Sequence, residues 1–197
     1  MSVRKDNQNP RLISRPTRKL PIFPSLDDPD FWWLIGYLQG DGSIIRQHGG
    51  AKIVAYSTDT HLIAHTHNLF VKLFSLRPGI IEFPKRVQNQ RKKYCVYVCS
   101  RVLDRYLSQL GLKFGTFRWN VPLLPPDLFF SYLAGLFDAE GCTCFGKNRV
   151  RRVLSRIDLY SSNARSLMMI KNLLHRYGIS SNVSCHRDLK RTEKRPQ

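Results

Sequence analysis

Asp41 and Glu140 are the two residues placed to do chemistry. Each ends an apolar stretch and is followed by glycine, in FWWLIGYLQGDG over residues 31–42 and FSYLAGLFDAEG over residues 130–141. A carboxylate in the last turn of a helix faces the negative pole of the macrodipole, at a cost of a few tenths to about 1 kcal/mol. A sequence that makes this choice twice has a use for it. Gly42 and Gly141 are expected to stop the helices in the left-handed conformation and turn the chain. Gly36 and Gly40 in the first copy, and Gly135 and Ala139 in the second, stand four apart and so share one helix face, where small residues allow two backbones to approach. If such helices pack side by side in the same direction, their carboxylates meet. Two like charges that close call for a divalent cation or a proton. A single Asp-Gly after a helix is more often a cap or turn, and it is the doubled ending that argues for a site.

The positions around these helices must hold them in place, and the repeat extends into them. Tyr56-Ser57-Thr58-Asp59 recurs as Tyr160-Ser161-Ser162-Asn163, and Asn68-Leu69 as Asn172-Leu173, at an offset of 104, whereas the acids are offset by 99. The five extra residues belong in a hairpin loop, where added length is cheap. Patterning predicts strands over Ser43–Gln47 and Lys52–Ser57 and a helix capped by Asp59. Strands over Ile80–Phe83 and Tyr94–Cys99 and a helix over Val102–Leu110 complete the first half. The second half repeats this with strands over Cys142–Gly146 and Val153–Tyr160, a helix over Ala164–Tyr177 and a weaker strand over Ile179–His186. Nothing in it corresponds to the strand at Val96 or the helix at Leu107. The fold class expected is α+β. It comprises two pseudo-symmetric αββαββα halves, the second truncated, with paired central helices and a saddle-shaped antiparallel sheet surface. The domains expected are a basic N-terminal arm (1–28), a first half (29–125) and a second, C-terminally short half (126–197).

Residues 34–42 and 133–141 resemble the two motifs of a LAGLIDADG homing endonuclease in its single-chain form, and the likeness covers about residues 29 to 190. The resemblance implies Mg²⁺-dependent hydrolysis of DNA, one cut per strand, by a monomer encoded in an intron. It implies metal ligation by Asp41 and Glu140 and by the backbone carbonyls of Gly40 and Ala139, with assistance from a basic residue near the end of the half, Lys113 or Arg118. Gln39 departs from the pattern, which has an acid there, matched in the second copy by Asp138. The alternative is a DNA- or RNA-binding protein of the same fold, such as an intron maturase or a remnant that no longer cuts.

Composition points to a polyanion independently. Lys and Arg number 32 against 14 acids, for a net charge of +18, the footprint of a nucleic-acid-binding chain. No apolar run approaches the roughly 18 residues that span a bilayer, and no secretory leader is expected. The five cysteines form no regular framework, as in a reducing compartment, and the resemblance to intron-encoded proteins implies an organelle or the bacterial cytoplasm. Zinc on Cys95, Cys99, Cys142 and Cys144 would lack the usual closely spaced knuckles. His61 and His65 lack a third ligand at metal spacing.

Duplex DNA is expected on the sheet, and the resemblance implies intron RNA as the alternative partner. In the second half Arg152, Arg156, Asp158 and Tyr160 share one parity, while Val153, Ile157 and Leu159 share the other, so one face is polar and one is core. A twisted antiparallel ribbon fits the major groove. Lys52, Val54 and Tyr56 are the matching positions of the first half. The DNA-contact candidates are Arg46, Gln47, Lys52, Lys85, Arg86, Arg151, Arg152 and Arg156.

Overall fold

The computed structural model describes residues 10–16, 19–47, 49–85, 91–147 and 153–184. In chain order β1 (Arg11–Ser14) lies in the N-terminal arm, and the first half comprises α1 (Pro29–Asp41), β2 (Gly42–Gln47), β3 (Gly50–Ser57), α2 (Thr60–Phe74), β4 (Gly79–Phe83), β5 (Lys93–Cys99) and α3 (Arg101–Gln109). The second comprises α4 (Pro126–Glu140), β6 (Gly141–Lys147), β7 (Val153–Leu159) and α5 (Ala164–Arg176). The α+β class and the paired repeat of helix and hairpin are as the sequence predicts.

Both central helices begin with proline, at the position where a missing N–H costs nothing. The glycines set how they pack. A Cβ at Gly36 would stand 2.0 Å from the Tyr132 carbonyl oxygen, and one at Gly135 would stand 1.9 Å from that of Trp33. Each backbone therefore fills the space a side chain would need on the other. Contacts advance in the same direction along both helices, from Trp33 against Gly135 to Gly40 against Ala139, so α1 and α4 run parallel.

A reciprocal pair of side-chain bonds ties the crossing. Tyr132 Oη donates to Gln39 Oε1 at 2.7 Å, and at the equivalent positions Trp33 Nε1 donates to Asp138 Oδ2 at 3.0 Å. Gln39 is only 1 % exposed, and its Nε2 donates to the carbonyls of Lys113 at 2.9 Å and Asn120 at 3.1 Å. An acid at this position would turn oxygen toward two carbonyl oxygens. The amide supplies the donor this chain needs. Gln39→Ala is expected to cost roughly 3 kcal/mol, because it leaves a buried hydroxyl and two carbonyls unpaired, and a denaturant melt measures this.

The five-stranded sheet has the order β1-β4-β5-β3-β2, all pairs antiparallel, and β6 pairs with β7 as a separate ribbon. Ile53, Ala55, Val96 and Val98 face the helices and join one core with Phe31, Leu34, Phe70, Phe74, Leu103, Phe129 and Leu136. Asp59 caps α2, its Oδ1 accepting from His61 N–H at 2.7 Å. The registers Gly42 to Ala55 and Gly141 to Leu159 put the five-residue insertion of the second copy at the far end of its hairpin.

Two expectations are corrected. Gly42 (φ −106, ψ 170) and Gly141 (φ −90, ψ 159) are extended, not left-handed. Glycine is needed because each helix runs straight into a strand, where a Cβ would lie 2.4 Å from the Leu38 or Phe137 carbonyl oxygen. Within the basic N-terminal arm, Arg11–Ser14 pairs with the open edge of β4. Ile80 N–H donates to Ser14 Oγ at 3.0 Å, Ile22 N–H bonds the Phe74 carbonyl, and Phe23 stacks on Tyr106 at 4.2 Å. Residues 179–184 form no strand, and the rest of that expected strand, 185–186, lies outside the described residues. Among the described residues the second half has only β6 and β7, so Ile157, of core parity, is 74 % exposed, while Leu159 packs on the core.

Candidate active site

The crossing carries the two acids to one place. A Cβ at Gly40 would be 2.4 Å from that of Ala139 and 3.0 Å from Cγ of Glu140. The side chain of Glu140 therefore lies against the residue that precedes Asp41. Tyr160 N–H donates to the Glu140 carbonyl at 3.1 Å, so the hairpin of the second half continues directly from its acid.

The electrostatics record the meeting. The Asp41 carboxyl is pushed up to about 6, first by burial and then by the charge of Glu140, with Lys93 opposing the shift. Burial also raises Glu140. Two oxygen-donor acids, each held partly out of water, fit a hard divalent cation better than they fit a structural ion pair. The side chains supply only two ligands. Among the described residues no group of three or more His, Cys, Asp or Glu is arranged to hold a metal, so backbone carbonyls or water would have to complete the shell.

A pH dependence follows. A carboxyl whose pKa is higher folded than unfolded stabilises the fold below its unfolded value, near 3.8, and this stability is lost as pH rises through about 6. In EDTA, Asp41→Asn should therefore melt higher than the parent above pH 6, by on the order of 1 kcal/mol after allowance for the partial exposure of the group. The difference should vanish near pH 4. Divalent cations should raise the melting temperature of the parent and not that of the variant.

Of the basic candidates, Lys113 is exposed. Its backbone is pinned on both sides, N–H to Asn120 Oδ1 at 2.8 Å and carbonyl to Gln39, two residues before Asp41. Arg118 is also exposed. Lys93 is a residue the sequence reading missed. Its Nζ stands 4.6 Å from the centre of the Tyr56 ring, and by the register of Gly42 to Ala55 Tyr56 is the strand position next to Asp41. The alternation of Lys93, Cys95 and Tyr97 was the available signal.

Lys52, Val54, Tyr56, Cys95 and Tyr97 lie on the side of the sheet away from the helices, as does Gln47 by its parity on β2. Arg46 lies on the helix side, where Nε and Nη2 donate to Asp104 of α3 at 2.9 and 2.6 Å. Lys85 is exposed just after β4. On the ribbon, Asp158 Oδ2 accepts from Arg156 Nε at 2.9 Å, from Tyr160 Oη at 3.3 Å and from Cys144 Sγ at 3.4 Å. Arg86, Arg151 and Arg152 lie outside the described residues.

The arrangement of parallel helices and flanking hairpins matches a solved structure of I-DmoI in complex with DNA and Mn at a TM-score of 0.51, over 81% of this chain and 84% of that one, with 16% identity. The fold is that of the LAGLIDADG homing endonucleases. Mesophilic variants of the homing endonuclease I-DmoI match at a TM-score of 0.53, over 82% of this chain and 84% of theirs, with 15% identity. Residues 127–197 match the LAGLIDADG-like domain family. An uncharacterized protein of Methanocaldococcus jannaschii is 23% identical over 192 residues, 95% of this chain and 67% of that protein. Among the described residues no helix is long and apolar enough to cross a membrane.

Proposed function

We propose that this chain is a site-specific DNA endonuclease that makes a metal-dependent double-strand break at a long target. The observation that carries the reading is the crossing of α1 and α4, which sets Glu140 against the residue before Asp41 and raises Asp41 partly through the charge of Glu140. That the LAGLIDADG structure it matches was solved with DNA and Mn supports the same reading, as does a net charge of +18. Asp41, Glu140 and the carbonyls of Gly40 and Ala139 would hold the cation, Mg²⁺ in the cell. When bound, it supplies Lewis-acid chemistry at the scissile phosphodiester. Lys113 and Lys93 stand on the first-half side as cations able to meet the scissile phosphate. Gln47, Lys52, Lys85 and Arg156 would contact the duplex, together with Arg86, Arg151 and Arg152. Arg46 would reach it only by giving up Asp104.

The second reading is a binding protein of the same fold. It is favoured by the two-stranded ribbon of the second half, which leaves Ile157 uncovered. A randomised duplex library incubated with the chain in Mg²⁺, Mn²⁺, Ca²⁺ or EDTA separates the two. Linear products that require Mg²⁺ or Mn²⁺ support the endonuclease. Salt-sensitive, sequence-selective binding with no cutting in any cation supports the binding protein.

A further inference from the structure

The two halves present different chemistry at equivalent positions. Lys52, Val54 and Tyr56 on β3 correspond, at the offset of 104, to Arg156, Asp158 and Tyr160, and both sets face away from the helices. The middle position is a carboxylate in one half and valine in the other. Around Asp158 gather the guanidinium, phenol and thiol that donate to it. Around Val54, which is 1 % exposed, a second apolar cluster has formed with Cys95 and Tyr97, against which half-buried Tyr56, Ile81 and Phe83 pack. Ile45 extends this face, since it pairs with Lys52 across the hairpin. Its cations lie over rings, with Lys52 Nζ 4.0 Å from the centre of Tyr97 and Lys93 Nζ 4.6 Å from that of Tyr56.

We propose that the first half-domain reads its half-site chiefly through thymine methyl groups, whereas the ribbon of the second half reads guanine and cytosine edges. The inference rests on the endonuclease reading, in which both faces lie on duplex DNA. The major-groove edge offers one apolar group, the C5 methyl of thymine, and otherwise hydrogen-bond donors and acceptors. Beyond Gln47 at the end of β2, whose amide is of the type that pairs with adenine, the face of Tyr56, Ile81, Phe83 and Ile45 carries few groups that could satisfy those donors and acceptors. Each one buried against it unpaired would cost free energy. Rows of thymine methyls minimise that cost, and Lys52 and Lys93 provide the charge that phosphates on either side require. Asp158 and Arg156 are of the types that accept from cytosine N4 and donate to guanine. The target should therefore be asymmetric in composition, rich in A·T on one side of its centre.

The test uses the unaltered chain. A duplex is selected from a random library, and its thymines are replaced by uracil first on one side of the centre and then on the other, with affinity read by fluorescence anisotropy. Selection repeated with Asp158→Asn marks the second-half side by the positions whose preferred bases change. Uracil on the first-half side should weaken binding about fourfold for each methyl contacted, the value of burying one such group, and by less than twofold on the other. Equal affinity after every thymine on the first-half side is replaced overturns the inference and leaves the endonuclease reading standing. Failure to select any sequence overturns both.

Discussion

Asp41→Asn and Glu140→Gln should each abolish metal-dependent cutting while leaving target binding intact. On the proposed function each substitution removes one of the two acids at the helix tips that would hold the cation, so the loss is that of metal-assisted stabilisation, several kcal/mol or on the order of 10³-fold in single-turnover rate. Neither should unfold the protein. Burial raises both carboxyls and Asp41 bears the charge of Glu140 as well, so removing either charge relieves the metal-free fold. Affinity for DNA in EDTA should hold or improve, because one negative charge has been taken from the face proposed to meet phosphate. Supercoiled plasmid carrying the target, followed to nicked and linear forms beside an anisotropy titration, checks both halves of the expectation. A variant that still linearises the plasmid at the parental rate would remove its acid from the proposed site.

Valine at Gly36 or Gly135 should do more damage than any other single change at the helix crossing. The first Cβ alone would meet a main-chain carbonyl oxygen at 2.0 or 1.9 Å, and a backbone atom cannot rotate aside as a side chain can. The helices must separate, which opens the core between Phe31, Phe129 and Leu136. A loss of about 3 kcal/mol or more is expected, at the upper end of the cost of overpacking, with cutting lost because the two tips no longer meet. Equilibrium denaturation and single-turnover cleavage measure the two effects. Val at Gly36 with unchanged stability would mean that the crossing is looser than these contacts require.

Much of the site could be read before any coordinates. The doubled ending at Asp41 and Glu140, the small residues four apart, the cap at Asp59 and the alternation along β3 and β7 are local patterns. The spacing and the alternation follow from the helical period of 3.6 and the strand period of 2, and the cap from a side-chain oxygen that accepts from a first-turn N–H. Because the halves repeat, each pattern was stated twice, which turned a common arrangement into a specific one.

What was not legible depends on partners distant in sequence. Residues 11–14 carry no periodicity to mark a strand, and they form one because β4 offers an open edge whose backbone groups need pairing. Arg46 was grouped with the DNA contacts by its charge, yet its parity turns it to the helix side, where Asp104 of α3 receives it. Gln39 looked like a neutral departure from the motif, and only the approach of the loop around residues 113–120 explains an amide there. Lys93 gained its place beside Asp41 through the pairing of β5 with β3. By itself the amino-acid order determined which residues could act and which helix face they share, since those are properties of a single element. The tertiary structure decided which charges meet, which are tied elsewhere and which glycines are needed for space instead of for torsion, because burial, pairing and close approach exist only between elements.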